Sequence, residues 1–167
     1  MQNRITKVDI EKIKEEINYR ALELRPKLLA EVKRTREYGD LSENAEYKEA
    51  KRDKNRNESR IRYLKNLLET AQVVEVDTRS DVIGLFDFVE LFYEMNGLTK
   101  KIQIVTSLRQ DATHGFISAE SPLGKALTGK KAGDRVLVSV SPDREFYVQI
   151  KAVEKGEDNE DLPISTF

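Results

Sequence analysis

A short acidic segment, residues 38–47 with the sequence YGDLSENAEY, lies between two long runs of helical periodicity. Within it Gly39 adds backbone freedom, and the side chains of Asp40 and Ser42 compete for backbone hydrogen bonds. Because such residues end one helix and start the next, we expect the chain to reverse direction here. The sequence therefore predicts a helical hairpin whose tip carries two carboxylates, Asp40 and Glu43.

These two carboxylates have a purely local interpretation. Asp40 can be the N-cap of the second helix and Glu43 the residue that reaches back from three positions later, a capping box with Asp in place of Ser or Thr. Both charges would also suit the helix dipole. This interpretation leaves Leu41 unexplained, because the end of a hairpin offers no core to an apolar side chain. It also gives no reason for two carboxylates one turn apart at this point.

The first helical run carries one apolar stripe, which is typical of a coiled coil. Its members recur at spacings of three and four: Ile10, Ile13, Ile17, Ala21, Leu24, Leu28 and Val32. Thr6 or Asp9 can cap the start of this helix. Pro26 lies inside the stripe, and because it lacks an N–H we expect a bend there without an end to the helix.

The second run has a matching seam, with a small and polar half near the tip and an aliphatic half beyond it. The seam consists of Ala50, Asn57, Ile61, Leu64, Leu68 and Ala71, with Lys54 in the place between the first two. Helices of similar length joined by a tight turn pair in opposite directions. We therefore expect an antiparallel two-helix coiled coil.

The second helix is also rich in basic residues. Residues 48–65 contain eight basic and three acidic side chains. The basic ones are Lys48, Lys51, Arg52, Lys54, Arg56, Arg60, Arg62 and Lys65. One interpretation is a solvated helix face with ion pairs along the helix. The other is a surface that attracts a nucleic-acid backbone, which Arg36 could join.

From residue 72 onward the periodicity changes to that of strands. A strand at 73–76 is followed by a polar break at 78–81, which is a candidate domain boundary. The apolar runs 88–93 and 101–105 flank Asn96-Gly97, a sequence typical of a hairpin turn. Three further strands are expected at 115–118, 135–140 and 145–150.

A short helix is expected between these later strands, with Ser121 as N-cap, Pro122 as its first residue and Gly129 at its end. Together the patterns predict an α+β fold, in which a small antiparallel sheet packs against one short helix. Residues 156–162 are acidic, and we expect them to form a mobile tail.

Composition narrows the class of protein. The 167 residues are 38% hydrophobic and 35% charged, which suits one or two small soluble domains. Cysteine is absent, which excludes disulfides, a cysteine nucleophile and cysteine-ligated zinc. His114 is the only histidine and has no companion ligand motif, so a zinc or triad hydrolase is unsupported and His114 is expected in a loop.

The distribution of apolar residues along the sequence bears on the location of the protein in the cell. No apolar run approaches the ~18 residues of a membrane span, and charged residues stand where a signal peptide would be apolar. We therefore expect a cytoplasmic protein without membrane contact.

The charges divide unevenly along the chain. Residues 1–71 hold 18 Lys/Arg and 14 Asp/Glu, whereas residues 72–167 hold 11 and 16. This asymmetry suggests two modules with different partners, a coiled coil over 1–78 and a sheet domain over 79–167.

Several of these segments resemble the GreA/GreB family of bacterial transcript cleavage factors. The resemblance rests on Arg25-Pro26, on the tip sequence 39–47, on 121–130 and on Gly133-Asp134. It covers nearly the whole chain in the same order. Two features depart from the family pattern: Asp9 stands where the family often has Gly, and the segment after Ile150 is longer.

The resemblance implies a fold and a partner. The coiled coil would enter the secondary channel of bacterial RNA polymerase, and an FKBP-like C-terminal domain would dock at the rim of that channel. The factor would then stimulate cleavage of backtracked RNA by the polymerase without being an enzyme itself. We expect it to act as a monomer.

The same resemblance implies roles for individual residues. Asp40 and Glu43 would help to bind the second Mg²⁺ ion of the polymerase active site, a cation that prefers oxygen ligands. Leu41 would contact the channel, and Ser42, Asn44 and Tyr47 would support the tip. The resemblance also matches Arg36 and Lys51, and we add Arg52, to a basic patch that contacts the RNA 3′ end.

Two other functions remain open at this stage. A homologue with the same fold could occupy the channel and inhibit transcription, although the presence of both tip carboxylates favours cleavage. An FKBP-like domain could instead be a prolyl isomerase or chaperone, with a cleft lined by aromatic side chains. The candidates for such a cleft, which are more often core residues, are Phe86, Phe88, Phe92, Tyr93, Phe116 and Tyr147.

Overall fold

The computed structural model describes residues 3–39 and 43–165. The chain divides into two compact units, a helical unit of residues 10–71 and a sheet unit of residues 1–9 together with 72–167. The domain ranges drawn from the sequence, 1–78 and 79–167, remain predictions.

The first helical run begins at Lys7 and ends at Arg36, and it changes type once along its length. It consists of α1 (Lys7–Asn18), a π-helical turn (Tyr19–Leu24) and α2 (Arg25–Arg36). Pro26 lies directly after the π-helical turn, and the helix continues through it as expected. In that turn the N–H of Arg25 bonds the carbonyl of Arg20, five residues back. A π-helical turn contains one residue more than an α-helical turn. The wider turn makes room for the proline ring, which would clash with the preceding turn of an unbroken α-helix.

The second helix, α3 (Ala45–Thr70), runs antiparallel to the first. Side-chain bonds between the helices show this direction, because Glu16 pairs with Arg60 while Arg20, one turn later, pairs with Asn57. None of the helices in the described part of the chain combines the length and the apolar character that a membrane span requires. The antiparallel hairpin predicted from the two periodic runs is confirmed.

The predicted stripes form the interface of the hairpin. In α1 and α2 the buried stripe residues are Ile13 and Val32, and the other five are partly buried. On α3 the buried apolar residues are Ala50, Ile61, Leu64 and Leu67. Leu67, which is outside the predicted seam, is buried, whereas Leu68 and Ala71 of that seam are only partly buried.

A polar cluster lies in the middle of the hairpin. Asn57, only 3% exposed, donates to the carbonyl of Arg20 at 3.1 Å and accepts from the Arg20 guanidinium at 3.1 Å. Arg60 donates to Glu16 at 2.8 Å. Burial opposes ionisation of Glu16, yet hydrogen bonds from Arg60 and Arg20 hold the pKa of its carboxyl below the ordinary value. Such paired polar groups fix the register of two helices because a shifted register would leave them buried without partners.

The sheet unit contains a five-stranded sheet in the order β5-β4-β3-β7-β6. Its strands are β3 (Phe88–Tyr93), β4 (Leu98–Val105), β5 (Phe116–Ser118), β6 (Arg135–Ser141) and β7 (Arg144–Glu154). The strand β1 (Arg4–Ile5) pairs separately with β2 (Gln72–Val73). The α+β fold class is confirmed.

One pair in the five-stranded sheet departs from the antiparallel arrangement that we expected. β4 and β5 are parallel, because the chain passes through two 3₁₀ turns, Ser107–Arg109 and Ala112–His114, before it returns. The sheet is therefore mixed.

The short helix α4 (Pro122–Leu127) follows β5 and begins as the sequence predicts. The Ser121 hydroxyl accepts a hydrogen bond from the N–H of Gly124 at 3.0 Å. A Cβ atom at Gly124 would lie 2.0 Å from the carbonyl oxygen of Ser118, so only glycine permits this close approach to the end of β5. Leu127 thereby reaches the sheet core, whose buried members are Ile83, Val89, Leu91, Ile102, Ile104, Leu127, Val136, Val138, Val148 and Ile150.

The prediction of a mobile acidic tail is wrong for the described part of this segment. Gly156 is buried, and a Cβ atom there would lie 1.8 Å from the carbonyl oxygen of Phe86. Leu162 packs with Phe86 and Val105 in a small apolar cluster. The segment packs because its acidic residues include a partner for a buried cation, Arg109.

Arg109 is 1% exposed and joins three distant parts of the sheet unit. Its Nε donates to Asp9 at 2.7 Å, and its Nη1 donates to Asp158 and, at 3.0 Å, to the carbonyl of Asn159. Asp9 also completes a capping box with Thr6, since each side chain accepts from the other's backbone N–H, at 2.9 and 3.3 Å. Asp9 and the C-terminal segment, far apart in the sequence, thus meet at one guanidinium.

Candidate functional site

The tip of the hairpin is only partly described. Asp40, Leu41 and Ser42, three of the residues predicted to act there, lie outside the described residues. Glu43 is exposed and lies in the turn before α3. The roles predicted for these four residues remain predictions, and the geometry below concerns the residues on either side.

Asn44 is the N-cap of α3. Its side-chain oxygen accepts from the N–H of Tyr47 at 3.0 Å, and its backbone has the extended conformation usual for an N-cap. Its Nδ2 also donates to the carbonyl of Thr35, in the last turn of α2, at 2.7 Å. One amide group therefore starts α3 and ties it to the end of α2.

This observation excludes the capping-box interpretation of the two tip carboxylates. Because α3 begins at Ala45, its third residue is Tyr47, and Asp40 and Glu43 do not occupy the positions of a capping box. The sequence did contain the correct feature, since Asn is a favoured N-cap and Glu46 follows in the first turn. The capping-box interpretation would start the helix several residues too early.

Replacing Asn44 by Ala is expected to lower the free energy of unfolding of the helical unit by about 1–2 kcal/mol, since it removes an N-cap and an interhelix bond. Asn44→Asp keeps the cap acceptor and loses only the donor to Thr35, so its cost should be smaller. Urea denaturation followed by circular dichroism measures both. If both variants lost the same free energy of unfolding, the bond to Thr35 and not the N-cap would be the larger contribution of Asn44.

The predicted RNA-contacting residues lie in different surroundings. Lys51 and Arg52 are exposed on α3, and Arg36 is exposed at the end of α2, with its guanidinium 5.7 Å from the centre of the Tyr47 ring. Arg60, counted with the basic residues of α3, is 6% exposed and paired with Glu16. Arg60 therefore belongs to the hairpin interface, whereas the neighbouring Arg62 is exposed, as are Lys51 and Arg52 nearer the tip.

Two cavities in the described part of the sheet unit relate differently to the six candidate aromatics. One of about 570 Å³ has Phe116 alone of the six in its lining, and one of about 550 Å³ is lined by none of them. Its lining residues are Arg4, Val74, Glu75, Asp77, Gly84, Leu85, Thr106, Ser107, Ala119, Glu120, Lys125 and Thr128. Phe86 is fully buried, and Tyr93 stacks on Phe146 with ring centres 6.1 Å apart.

The described residues form no self-contained metal site. Residues 3–39 and 43–165 contain no group of three or more His, Asp or Glu side chains that could hold an ion. His114 lies in an exposed 3₁₀ turn, with Nδ1 2.7 Å from Asp111. Hydrogen bonds from Thr113 and His114 hold the pKa of Asp111 below its usual value.

Comparison with known proteins covers both units. Residues 3–73 match the family described as transcription elongation factor, N-terminal, and residues 78–155 match transcription elongation factor, GreA/GreB, C-terminal. Transcription elongation factor GreA of Thermosipho africanus is 39% identical over 150 residues, which are 89% of this chain and 94% of that protein. GreA of Geobacillus kaustophilus is 37% identical over 153 residues, 91% and 96% of the two chains.

Among solved structures, GreA factor homolog 1 of Thermus thermophilus aligns with 92% of this chain and 99% of its own, at 26% identity and a TM-score of 0.42. The family models, which together span most of the sequence, agree with the relatives on both halves of the chain. The chain belongs to the GreA/GreB family of transcription elongation factors.

Proposed function

We propose that this elongation factor places its hairpin tip in the secondary channel of bacterial RNA polymerase and stimulates cleavage of backtracked RNA. The sheet unit would bind at the rim of the channel. The cleavage activity belongs to the polymerase, and the factor adds groups that the polymerase lacks. Membership of the family supports an interaction with RNA polymerase, and the resemblance of the tip sequence supports the rest.

The observation that carries the proposal is the position of the N-cap. Since Asn44 caps α3, the local structure does not require carboxylates at positions 40 and 43. Two acidic side chains close together repel each other and gain little in an exposed turn. Their presence is explained if both face a cation supplied by another molecule.

The donor set at the tip fits a Mg²⁺ ion that is shared with a partner. Carboxylate oxygens are the ligands that Mg²⁺ prefers, and one or two protein carboxylates usually suffice when waters and phosphates complete its shell. When bound, the ion would lower the pKa of a water molecule and offset charge on the cleaved phosphate. Asp40 and Glu43 would hold it, and Glu43 is exposed as this role requires.

Other residues of the chain would position these carboxylates and the RNA. Asn44 fixes the start of α3 next to Thr35, in the last turn of α2. Arg36, Lys51 and Arg52 would attract the phosphates of the extruded RNA 3′ end, because cations on an exposed helix face bind a nucleic-acid backbone without reading its sequence. Leu41 would contact the channel wall, and Ser42 and Tyr47 would support the tip.

The experiment that tests the proposal is RNA cleavage in backtracked polymerase complexes with and without the factor. Faster release of 3′ fragments at fixed Mg²⁺ supports it. Tight binding to polymerase without faster cleavage would show a channel-blocking inhibitor instead. Absence of binding would contradict both functions, and an isomerisation assay on a proline peptide would then test the remaining alternative.

A further inference from the structure

The end of α2 presents an aromatic side chain whose exposure is unusual for this chain. Tyr38 is 59% exposed, the largest value among the six tyrosines, and it lies two residues before Asp40. A single exposed ring is common on protein surfaces and needs no explanation alone. The neighbouring contacts of Tyr38 are what make it informative.

A guanidinium group covers one face of the Tyr38 ring. Arg34 lies with its Cζ 5.3 Å from the ring centre, and its Nη1 contacts the Tyr38 hydroxyl. Glu31 holds Arg34 in this orientation by accepting hydrogen bonds from Nε, at 2.9 Å, and from Nη2. The exposed area of Tyr38 therefore lies mainly on the other face of a ring whose orientation is restrained.

The backbone of Tyr38 is also held in place. Its N–H donates to the carbonyl of Thr35 at 3.2 Å, and the same carbonyl accepts from Asn44 at 2.7 Å. Thr35 itself is fully buried between the helices. Tyr38 is therefore anchored to the same group that fixes the start of α3, and it does not belong to a freely moving loop.

A second contact of the same kind joins the two helices, where the Arg36 guanidinium of α2 lies 5.7 Å from the centre of the Tyr47 ring of α3. The hairpin thus presents two aromatic rings close to the tip, each with a guanidinium against it. Proteins that bind single-stranded nucleic acid combine these groups, because every base has a π-face that stacks on an aromatic ring and every nucleotide carries a phosphate for a cation.

We infer that Tyr38 stacks on an unpaired base of the extruded RNA, with Arg34 behind the ring. This inference rests on the proposed function, which brings a single-stranded RNA 3′ end to the tip. Tyr38 would hold the RNA while the carboxylates act on the phosphodiester. An apolar wall of the polymerase is the competing occupant, and the two predict different measurements.

The test uses the full chain in backtracked polymerase complexes whose extruded RNA carries 2-aminopurine, a base whose fluorescence falls when it stacks. Wild type and Tyr38→Phe should quench the fluorescence, and Tyr38→Leu should not. Tyr38→Leu should also lower the maximal cleavage rate about tenfold, the typical loss for one stacked base, with unchanged affinity for polymerase. Tyr19→Leu is the matched control, since Tyr19 is 49% exposed and lies in the π-helical turn, and it should behave as wild type.

Each other outcome overturns the inference in a distinct way. If wild type stimulates cleavage and Tyr38→Leu does so equally, the stacking role is wrong while the proposed function stands. If Tyr38→Leu weakens polymerase binding at an unchanged maximal rate, Tyr38 contacts protein and not RNA. If wild type itself gives no stimulation, the proposed function and this inference are both wrong.

Discussion

Asp40→Asn and Glu43→Gln are each expected to reduce factor-stimulated RNA cleavage about 100-fold. Loss of a residue that only orients a metal ligand typically costs about 10- to 100-fold, and loss of a ligand itself should cost at least as much. Each change keeps the shape of the side chain and removes its charge. Because Asn44 and not Asp40 caps α3, neither change should destabilise the hairpin. The cleavage rate in backtracked polymerase complexes measures the effect, and binding to polymerase should persist.

A matched control separates the specific role of these carboxylates from general electrostatics. Glu37→Gln removes the same charge from the exposed C-cap residue of α2, three positions before Asp40. It should change the cleavage rate by about twofold or less, because an isolated surface charge contributes little. If Glu37→Gln and Asp40→Asn had equal effects, the tip would act through its total charge and not through two ligands.

Arg109→Met is expected to lower the free energy of unfolding of the sheet unit by about 3–5 kcal/mol, the cost of breaking a buried ion pair. The variant would leave Asp9, which is fully buried, and Asp158, mostly buried, without their cation. Residues 156–165 should then lose protection from amide hydrogen exchange. Denaturation followed by circular dichroism, together with hydrogen exchange, measures both effects.

The control for this prediction is an exposed ion pair in the same unit. Lys101 lies 3.3 Å from Glu154, and both side chains are more than half exposed, so Lys101→Met should cost less than about 1 kcal/mol. The triple variant Asp9→Asn, Arg109→Met, Asp158→Asn should recover part of the loss, because it removes the uncompensated charges. Equal stability of Arg109→Met and Lys101→Met would show that the cluster does not hold the segment.

Local sequence patterns were sufficient for most of the elements. The spacing of Ile13 and Val32 identified the buried face of the first helix, because helical periodicity depends only on neighbouring residues. Ser121 and Pro122 identified the start of the short helix for the same reason. At the tip, the residue types indicated the reversal, although several of them can cap a helix and the sequence alone does not choose Asn44 among them.

Long-range pairing could not be predicted in this way. Arg109 binds Asp9 across 100 positions and Asp158 across 49, and nothing near any of the three residues marks the partner. The sequence pattern of residues 156–162 therefore predicts a mobile acidic tail, although the segment packs. Arg60 is a similar case, since a basic residue on a basic helix gives no sign that it is buried against Glu16.

The candidate site was also predicted in part, and the part that failed again involves contacts between separate segments. The tip sequence contains a favourable N-cap residue, Asn44, which the structure confirms, while the roles of its two carboxylates stay predictions. The contacts that orient Tyr38 were not foreseen, because they join Arg34 and Glu31 in the preceding turn to a ring whose exposure depends on the folded hairpin.

The most direct test of the central claim is a Mg²⁺ titration of RNA cleavage in backtracked polymerase complexes, with saturating wild-type factor or the variant Asp40→Asn, Glu43→Gln. If the tip carboxylates help to hold an ion, wild type lowers the Mg²⁺ concentration that gives half-maximal cleavage, and the variant leaves it at the value for polymerase alone. An equal decrease with the variant bound would contradict the claim, since the tip would then act without binding the metal.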